Sequence, residues 1–226
     1  MAAAEKSLAR MKARLPQENH YEVLIALDCA DELTTQEVRK NFGSSSIIYE
    51  TNFGNPGEAR NFLVEKSTGE FVAILDGDDL WSENWLVSAL KKAVLSPNTI
   101  FHPEVAFYFY ESDLDLPFAR GASPFARSHF VVYQDGNTSN SEHLSKLLNF
   151  WTAHCLASRA TFKATPYKPN NRSLALGIED WSWNIATIGK GIKHESVPET
   201  VHCIRVKKQG SLNALNNSVG TLPWLE

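Results

Sequence analysis

Hydrophobic and polar positions in the first half of the chain follow two alternating patterns. Short apolar runs of the kind buried on both faces of a parallel sheet alternate with segments whose apolar residues recur every three or four positions. Strands that alternate with helices of about ten residues are typical of right-handed βαβ units. The pattern predicts an α/β fold with a doubly wound, mostly parallel sheet. The predicted strands are 21–27, 46–50 and 71–75, and the predicted helices are 2–15, 34–42, 58–67 and 82–95.

The pattern changes after Pro97, where aromatic-rich strands and longer loops follow. A stretch that contains Pro, Gly and Ser, at 116–124, predicts a long loop. We find no internal repeat, so we expect a single domain over residues 1–226 with two halves, 1–97 and 98–226. The predicted strands of the second half are 105–110, 129–133 and 200–206, and its predicted helices are 141–148 and 179–188.

Composition narrows the class of protein. With 43% hydrophobic and 11% aromatic residues, the 226-residue chain can bury a substantial core. The net charge of −4 and the lack of a long basic run argue against nucleic acid as a partner. The three cysteines lie far apart without metal-type spacing, which is typical of reduced thiols in the cytosol. No stretch approaches the roughly 20 apolar residues that span a bilayer, and no signal peptide is visible.

The apolar run 71–75 ends in three carboxylates, Asp76, Asp78 and Asp79. Ligands of α/β proteins bind at the carboxyl ends of strands. Three acidic groups so close together repel one another unless a cation lies among them. We interpret the group as a site for a divalent cation, Mn²⁺ or Mg²⁺. The alternative is a solvated turn, in which Asp79 caps the next helix or orients its neighbours.

A second acidic pair, Glu179 and Asp180, stands at the predicted start of a helix. Acidic residues at this place commonly interact with the helix dipole, and that structural role is the alternative to a catalytic one. The pair is followed by Trp181 and Trp183, whose rings are candidates for stacking on sugars. The chain therefore carries two separate acidic groups, about 100 residues apart.

The order of these features resembles that of the family 2 glycosyltransferases, which have the GT-A fold. In that family a strand ending in an acid, an Arg-Asn helix and a strand ending in Asp-x-Asp follow one another. An acceptor segment, a Glu-Asp pair at a helix start, and an Arg-containing strand followed by Gly-Ser come next. The resemblance covers roughly residues 3–213. The matching positions are Asp28, Arg60-Asn61, Asp76-Gly77-Asp78-Asp79, 149–159, Glu179-Asp180 and Arg205 with Gly210-Ser211.

On the donor side, the resemblance implies four side chains that hold a nucleotide sugar. Asp28 matches the acid that hydrogen-bonds the nucleotide base. Asp76 and Asp78 match the pair that holds the ribose and the divalent cation on the diphosphate, so both are expected metal ligands. Arg60 is expected to contact a phosphate. The alternatives are that Asp28 is a turn residue and that Arg60 serves helix packing.

On the acceptor side, the resemblance makes Asp180 the catalytic base, with Glu179 as the second choice. An acceptor hydroxyl has a high pKa, so a carboxylate must take its proton as the oxygen attacks. A divalent cation neutralises the departing nucleoside diphosphate as a Lewis acid. A single base opposite the leaving group implies inversion of configuration. Trp181 and His154 are the expected acceptor contacts, and the alternative for His154 is a structural role in the core.

The sequence thus predicts an inverting, metal-dependent glycosyltransferase. It would move a sugar from a nucleotide-diphosphate donor, a UDP- or dTDP-sugar, to a hydroxyl of a glycan or lipid-linked acceptor, as in bacterial surface polysaccharide assembly. Residues 1–97 would form the donor-binding half, and residues 98–226 the acceptor-binding half and the C-terminal tail. We expect a cytoplasmic protein, with contact to the inner face of the membrane left open. Lys207 and Lys208 are either a lid over the diphosphate or a solvated pair.

The start of the chain departs from the family pattern. Family members begin with an apolar strand that forms one wall of the base pocket, whereas this chain begins in the helix that should follow it. We expect an exposed sheet edge and weakened donor binding. This departure supports the main alternative, a degenerate, non-catalytic glycan-binding or scaffold domain. A phosphatase of the haloacid dehalogenase type is a weaker alternative, because its acids follow the first strand and a Thr or Val stands where this chain has Leu80.

Overall fold

Helices and strands alternate along the first half of the chain, as predicted. The structure, a computed structural model, describes residues 2–16, 20–110, 130–133, 141–207, 216 and 218–225. The helices are α1 Ala2–Lys12, α2 Glu32–Phe42, α3 Pro56–Lys66, α4 Trp85–Leu95, α5 Glu142–Ser145, α6 Arg159–Ala164 and α7 Glu179–Gly189. The strands are β1 Leu24–Asp28, β2 Ile47–Thr51, β3 Phe71–Ala73, β4 Leu80–Trp81, β5 Thr99–Tyr110, β6 Phe130–Tyr133, β7 Leu156–Ser158, β8 Leu176–Gly177, β9 Lys193–Val206 and β10 Leu222–Pro223. The predicted loop 116–124, His129, Lys208 and Gly210-Ser211 lie outside the described residues.

Capping residues place the starts of α2 and α3 two positions before the predicted ones. The carboxylate of Asp31 accepts the backbone N–H of Thr34 at 2.7 Å, so α2 begins directly after Asp31. The side chain of Asn55 accepts the N–H of Gly57 at 3.0 Å, and Pro56 occupies the first helical position. A proline fits there because the first N–H of a helix has no partner within the helix.

The main sheet is mixed rather than mostly parallel. Its strands run in the order β3-β7-β5-β9-β4, with β6 also paired to β5, and within it only β5 and β9 are parallel. The apolar pattern predicted parallel neighbours for the strand before the acids, and among the described strands it has none. β3 lies at an edge, antiparallel to β7, with Phe71 opposite Ser158. Its apolar run is covered on both faces, because Phe71 and Ala73 pack against the core around Trp85 while Val72 and Ile74 pack with the core around Val64.

The expected open sheet edge is present in the described part of the chain. β1 and β2 form a separate parallel pair, from Leu24 opposite Ile47 to Asp28 opposite Thr51. Among the described strands, β1 pairs only with β2, and β3 pairs only with β7. The two sheets are nonetheless joined near their starts, because the carboxylate of Glu22 accepts the N–H of Thr68 at 2.6 Å.

Helix α1 connects the two sheets. Leu8 packs both against the core around Trp85 and against the core around Val38, which lies under β1. The hydroxyl of Ser7 donates to the carbonyl of Trp81 at 2.9 Å and accepts the N–H of the same residue at 2.8 Å. Among the described residues, no helix is long and apolar enough to cross a bilayer.

Candidate functional site

Arg60 joins the two acidic groups that the sequence places far apart. Its Nη2 lies 2.7 Å from Asp76 Oδ1, just after β3, and its Nη1 lies 2.8 Å from Glu179 Oε1, at the start of α7. The guanidinium is buried and also lies over the ring of Tyr167, 5.4 Å from its centroid. Burial alone would lower the pKa of Arg60, but Asp76 and Glu179 hold that pKa well above its usual value. The two acidic groups therefore belong to one site.

The carboxylate of Asp76 is stabilised in its charged form. Burial raises its pKa, but the charge and hydrogen bond of Arg60 outweigh this effect, so the pKa of Asp76 is lowered from its ordinary value. Lys207 and His202 act in the same direction on the pKa. Asp76 thus stays ionised near neutral pH, as an acid that holds a cation must.

The second and third acids have different partners. Asp78 Oδ2 accepts from the ammonium of Lys207 at 2.7 Å, and Arg205 Nη2 lies 3.7 Å from the same oxygen. Asp79 is buried, with Oδ2 2.9 Å from His202 Nε2 and Oδ1 accepting the N–H of Arg205 at 3.1 Å. Burial raises the pKa of Asp79, while His202 opposes the shift. Asp79 therefore anchors β9 to the acidic turn, which is the orienting role that the sequence left open.

Asp76 and Asp78 can supply part of the ligand set of a divalent cation. The side chains of Asp76 and Asp78 are 44% and 27% exposed, and carboxylate oxygens are the ligands that Mg²⁺ prefers in proteins. Within the described parts of the chain, no three His, Cys, Asp or Glu side chains converge on one metal-sized site. Mg²⁺ is usually held by one or two carboxylates plus phosphate oxygens and water, which matches such a set.

Asp180 lies in an environment that raises its pKa. Its Oδ1 accepts the N–H of Trp181 at 2.8 Å, and Asn149 Nδ2 lies 3.4 Å from its Oδ2. Burial, followed by the charge of Glu179, raises the pKa of Asp180 to about 7, against the opposing effect of Arg60. A base is most effective when its pKa lies near the working pH. Glu179, in contrast, is buried and held by Arg60, so its carboxylate is occupied by an ion pair.

The start of α7 is held by the C-terminal segment, which the sequence analysis missed. β10 pairs in parallel with β8, and the hydroxyl of Ser182 donates to the carbonyl of Gly177 at 2.7 Å while accepting the N–H of Trp224 at 2.9 Å. Ala175 and Ile178, on either side of β8, have left-handed φ angles of 51° and 53°. A two-residue strand that contains a proline has no periodicity, so no pattern could have revealed it.

Two of the three aromatic or histidine candidates on the acceptor side lie in the core. Trp183 is buried and stacks on Phe162 and Tyr167, with ring centroids 5.0 and 5.2 Å away, so the idea that it stacks on a sugar is wrong. His154 is also buried, accepts the indole N–H of Trp81 at 2.5 Å, and has a pKa lowered well below its usual value by burial. This is the structural position that the sequence analysis weighed as the alternative for His154.

Trp181 differs from these two residues because it is only half-buried. Its indole N–H donates to the carbonyl of Ser145 at 2.6 Å, which fixes the ring between α5 and α7 directly beside Asp180. Among the predicted acceptor contacts, Trp181 alone combines partial exposure with this position, and its role stays a prediction.

Asp28 organises the loop between β2 and α3. Its carboxylate accepts the N–H groups of Phe53 at 2.7 Å and Asn55 at 3.1 Å, and the hydroxyl of Thr51 at 3.1 Å. A cavity of about 390 Å³ opens beside it, lined by Leu27, Cys29, Ala30, Thr35, Glu50, Thr51 and Asn52. The cavity lies at the carboxyl ends of β1 and β2, where ligands of α/β sheets bind. A contact between Asp28 and a nucleotide base stays a prediction.

The sequence analysis assigned no individual role to His202 or to Asn149. His202 lies on the buried side of β9 and connects Asp79 to the hydroxyl of Thr152, which is 3.1 Å from its Nδ1. Asn149 accepts from Asn184 at 3.3 Å and faces Asp180. Burial along β9 does not alternate at His202, because the adjacent Cys203 is buried as well, so no local pattern marked this histidine.

Comparisons with known proteins identify the family and the fold of the chain. The sequence model of the family described as "Glycosyl transferase family 2" matches residues 3–174. Poly(ribitol-phosphate) beta-N-acetylglucosaminyltransferase TarS of Staphylococcus aureus, in strains Mu50 and MW2, is 36% identical over 74 residues, which is 30% of this chain and 13% of TarS. The match to these curated relatives therefore spans a small part of their length.

Solved structures show the same fold. The crystal structure of S. aureus TarS 1-349 in complex with UDP-GlcNAc has a TM-score of 0.58 at 18% identity, covering 91% of this chain and 54% of that one. The complex of TarS 1-349 with UDP has a TM-score of 0.57 at 15% identity, covering 96% and 64%. GalNAc-T7 with UDP, GalNAc and Mn²⁺ has a TM-score of 0.61 at 12% identity, covering 92% and 42%. The fold is that of the GT-A glycosyltransferases.

Proposed function

Because the chain belongs to the family 2 glycosyltransferases, we propose that it transfers a sugar, with inversion, from a nucleotide-diphosphate donor to a hydroxyl group of an acceptor. The observation that carries the proposal is the bridge made by Arg60, which brings Asp76 and the start of α7 into one site. Such a site can hold a diphosphate leaving group and a general base at the same time.

The donor side of the proposal is a UDP- or dTDP-sugar whose diphosphate lies at Asp76 and Asp78. A divalent cation, Mn²⁺ or Mg²⁺, bound to these carboxylates would neutralise the leaving diphosphate as a Lewis acid. The presence of Mn²⁺ together with UDP in the GalNAc-T7 structure supports this part. Arg60 holds Asp76 ionised and oriented, and Asp28 fixes the loop at the neighbouring strand ends.

The acceptor side of the proposal uses Asp180 as the base. Its carboxylate takes the proton of the acceptor hydroxyl while the oxygen attacks the anomeric carbon from the face opposite the diphosphate. The new C–O bond forms as the bond between sugar and diphosphate breaks, which inverts the configuration. Trp181 would lie against the acceptor sugar. The pKa of Asp180, about 7, supports this assignment over Glu179, which is paired with Arg60.

The acceptor is proposed to be a glycan or a lipid-linked glycan of a bacterial surface polysaccharide, modified in the cytoplasm at the inner face of the membrane. The similarity to TarS, a poly(ribitol-phosphate) beta-N-acetylglucosaminyltransferase, supports a polymeric acceptor. Acceptor choice would then depend on the second half of the chain, 98–226.

Two substitutions test the assignment of the acids. Asp78→Asn should abolish Mn²⁺-dependent UDP binding, measured by calorimetry. Asp180→Asn should spare UDP binding and reduce sugar transfer by more than about a hundredfold, as expected for loss of a general base. Glu32→Gln, an exposed carboxylate in α2, is the matched control and should change neither quantity. Unchanged UDP affinity in Asp78→Asn would contradict the cation assignment.

One observation favours a second candidate, a degenerate domain that binds glycans or serves as a scaffold. The described part of β1 pairs with β2 alone, which leaves one side of the base site without a strand. A screen of nucleotide sugars for nucleotide release, with and without Mn²⁺, separates the two candidates. Release from any donor supports the transferase, whereas glycan binding without release from any donor supports the scaffold.

A further inference from the structure

The ammonium of Lys207 forms an ion pair with one carboxylate oxygen of Asp78. Lys207 Nζ lies 2.7 Å from Asp78 Oδ2, and Arg205 Nη2 lies 3.7 Å from the same atom. The ammonium lies 2.7 Å from Asp78 Oδ2, so it would repel a divalent ion bound to the same oxygen and weaken the binding of that ion.

The strand that precedes Lys207 is anchored to the acidic turn. β9 is tied to the acidic turn up to Arg205, through the hydrogen bond between its N–H and Asp79 and the contact between His202 and Asp79. β9 ends at Val206, and Lys207 is the first residue beyond it, with an exposed side chain. A lysine side chain has four flexible carbons, so its ammonium can move several ångströms without moving the strand.

We propose that Lys207 is an exchangeable occupant of the cation position at Asp78. This inference rests on the proposed donor and cation. Without donor, the ammonium pairs with Asp78 and opposes entry of the divalent cation. When the donor arrives, its diphosphate offers the ammonium a stronger partner, so Lys207 moves onto the phosphate oxygens and frees Asp78 Oδ2 for the cation. Lys207 is thus a diphosphate-binding residue as well as a competitor of the cation.

The exchange makes donor and cation bind together rather than independently. Binding of either ligand separates Lys207 from Asp78, so the other ligand no longer has to break this ion pair. The resulting coupling free energy is the same for both ligands. The wild-type protein should therefore bind Mn²⁺ weakly without nucleotide and much more tightly with UDP. Typical couplings of this kind change affinity by about 5- to 150-fold.

The test measures Mn²⁺ binding, by electron paramagnetic resonance of free Mn²⁺, in the presence and absence of UDP. Lys207→Gln should bind Mn²⁺ without UDP at least about fivefold more tightly than wild type, and UDP should then improve Mn²⁺ affinity by a smaller factor. UDP affinity at saturating Mn²⁺ should fall, because the diphosphate loses a cation. Lys207→Arg should keep the coupling, and Lys146→Gln, which removes an exposed helix ion pair with Glu142, is the matched control.

The outcomes separate this inference from the proposed function. If wild type binds UDP with Mn²⁺ and Lys207→Gln leaves Mn²⁺ affinity without UDP unchanged within about twofold, the exchange is overturned and the proposed function stands. If neither protein binds UDP under any condition, the proposed donor site fails and the exchange fails with it. Because Lys207 is exposed, circular dichroism of Lys207→Gln should match wild type.

Discussion

Arg60 and Glu179, which stand 119 positions apart in the sequence, form an ion pair of 2.8 Å between Nη1 and Oε1. The pair is buried, and the second nitrogen of the same guanidinium holds Asp76. One side chain of α3 therefore connects the acidic turn after β3 to the start of the helix that carries Asp180.

The first prediction concerns the removal of this bridge. Arg60→Ala should lower the free energy of unfolding by about 3–5 kcal/mol, because Glu179 is left as an unpaired buried charge. Arg60→Lys should restore only part of the loss, since an ammonium cannot contact two carboxylates as a planar guanidinium does. Urea denaturation followed by circular dichroism measures both changes.

The matched control for Arg60 is Arg39→Ala. Arg39 pairs with Glu50 on the surface, where both side chains are more than half exposed. Such a pair contributes about 0–1 kcal/mol, so this variant should unfold close to wild type. Equal losses in the two variants would contradict a special role for the buried bridge.

The second prediction is a pH dependence set by Asp180. Its pKa is raised to about 7, so the carboxylate is largely protonated below that pH and cannot accept a proton. The transfer rate at saturating donor should rise tenfold per pH unit below about 7 and level off above it. Initial rates between pH 5 and 9 measure the profile. A profile that is flat through pH 7 would argue against Asp180 as the base.

The raised pKa of Asp180 also predicts how the free energy of unfolding changes with pH. The folded protein holds the Asp180 proton more tightly than the unfolded chain, where the pKa returns to its ordinary value of 3.8. The stabilisation from this group is therefore fully present below about pH 4 and is lost as the pH rises through about 7. Asp180→Asn should remove this part of the pH dependence of the free energy of unfolding, whereas Glu142→Gln, in an exposed pair, should not.

The sequence allowed the acids to be located but not their partners. Asp76, Asp78 and Asp180 were predicted because they stand after an apolar run or at a helix start, and both are local patterns. Arg60 was only a candidate for phosphate contact, since its link to Glu179 depends on how α3 packs near α7. Local patterns carry no information on contacts between distant segments.

The sheet was predicted less well than the helices. The apolar run 71–75 indicated burial on both faces, which fits β3, but not the antiparallel pairing of β3 with β7 at the edge of a mixed sheet. β4 and β10 are two residues long and show no alternation. The buried position of His154 likewise depends on the rings of Trp81 and Trp85 around it, with centroids 4.9 and 4.8 Å away.

The third prediction concerns the segment that presents Asp180. A Cβ added at Gly177 would lie 2.8 Å from Asn170 Oδ1 and 3.0 Å from its Cγ, so either Asn170 or β8 must shift. A shift of β8 is passed to α7 through Ser182, which accepts from Trp224 and donates to Gly177. Gly177→Ala should therefore cost about 1–3 kcal/mol of stability, as overpacking does elsewhere. It should also lower the turnover number more than it weakens UDP binding.

Gly189→Ala is the matched control for this substitution. Gly189 ends α7, and a Cβ there meets nothing within 4 Å. Alanine is favoured over glycine in a helix by about 0.5–1 kcal/mol, so this variant should be at least as stable as wild type and equally active. For both variants, thermal unfolding measures stability, steady-state kinetics measures the turnover number, and calorimetry measures UDP affinity. A Gly177→Ala protein that is destabilised yet turns over at the wild-type rate would show that β8 does not position the base.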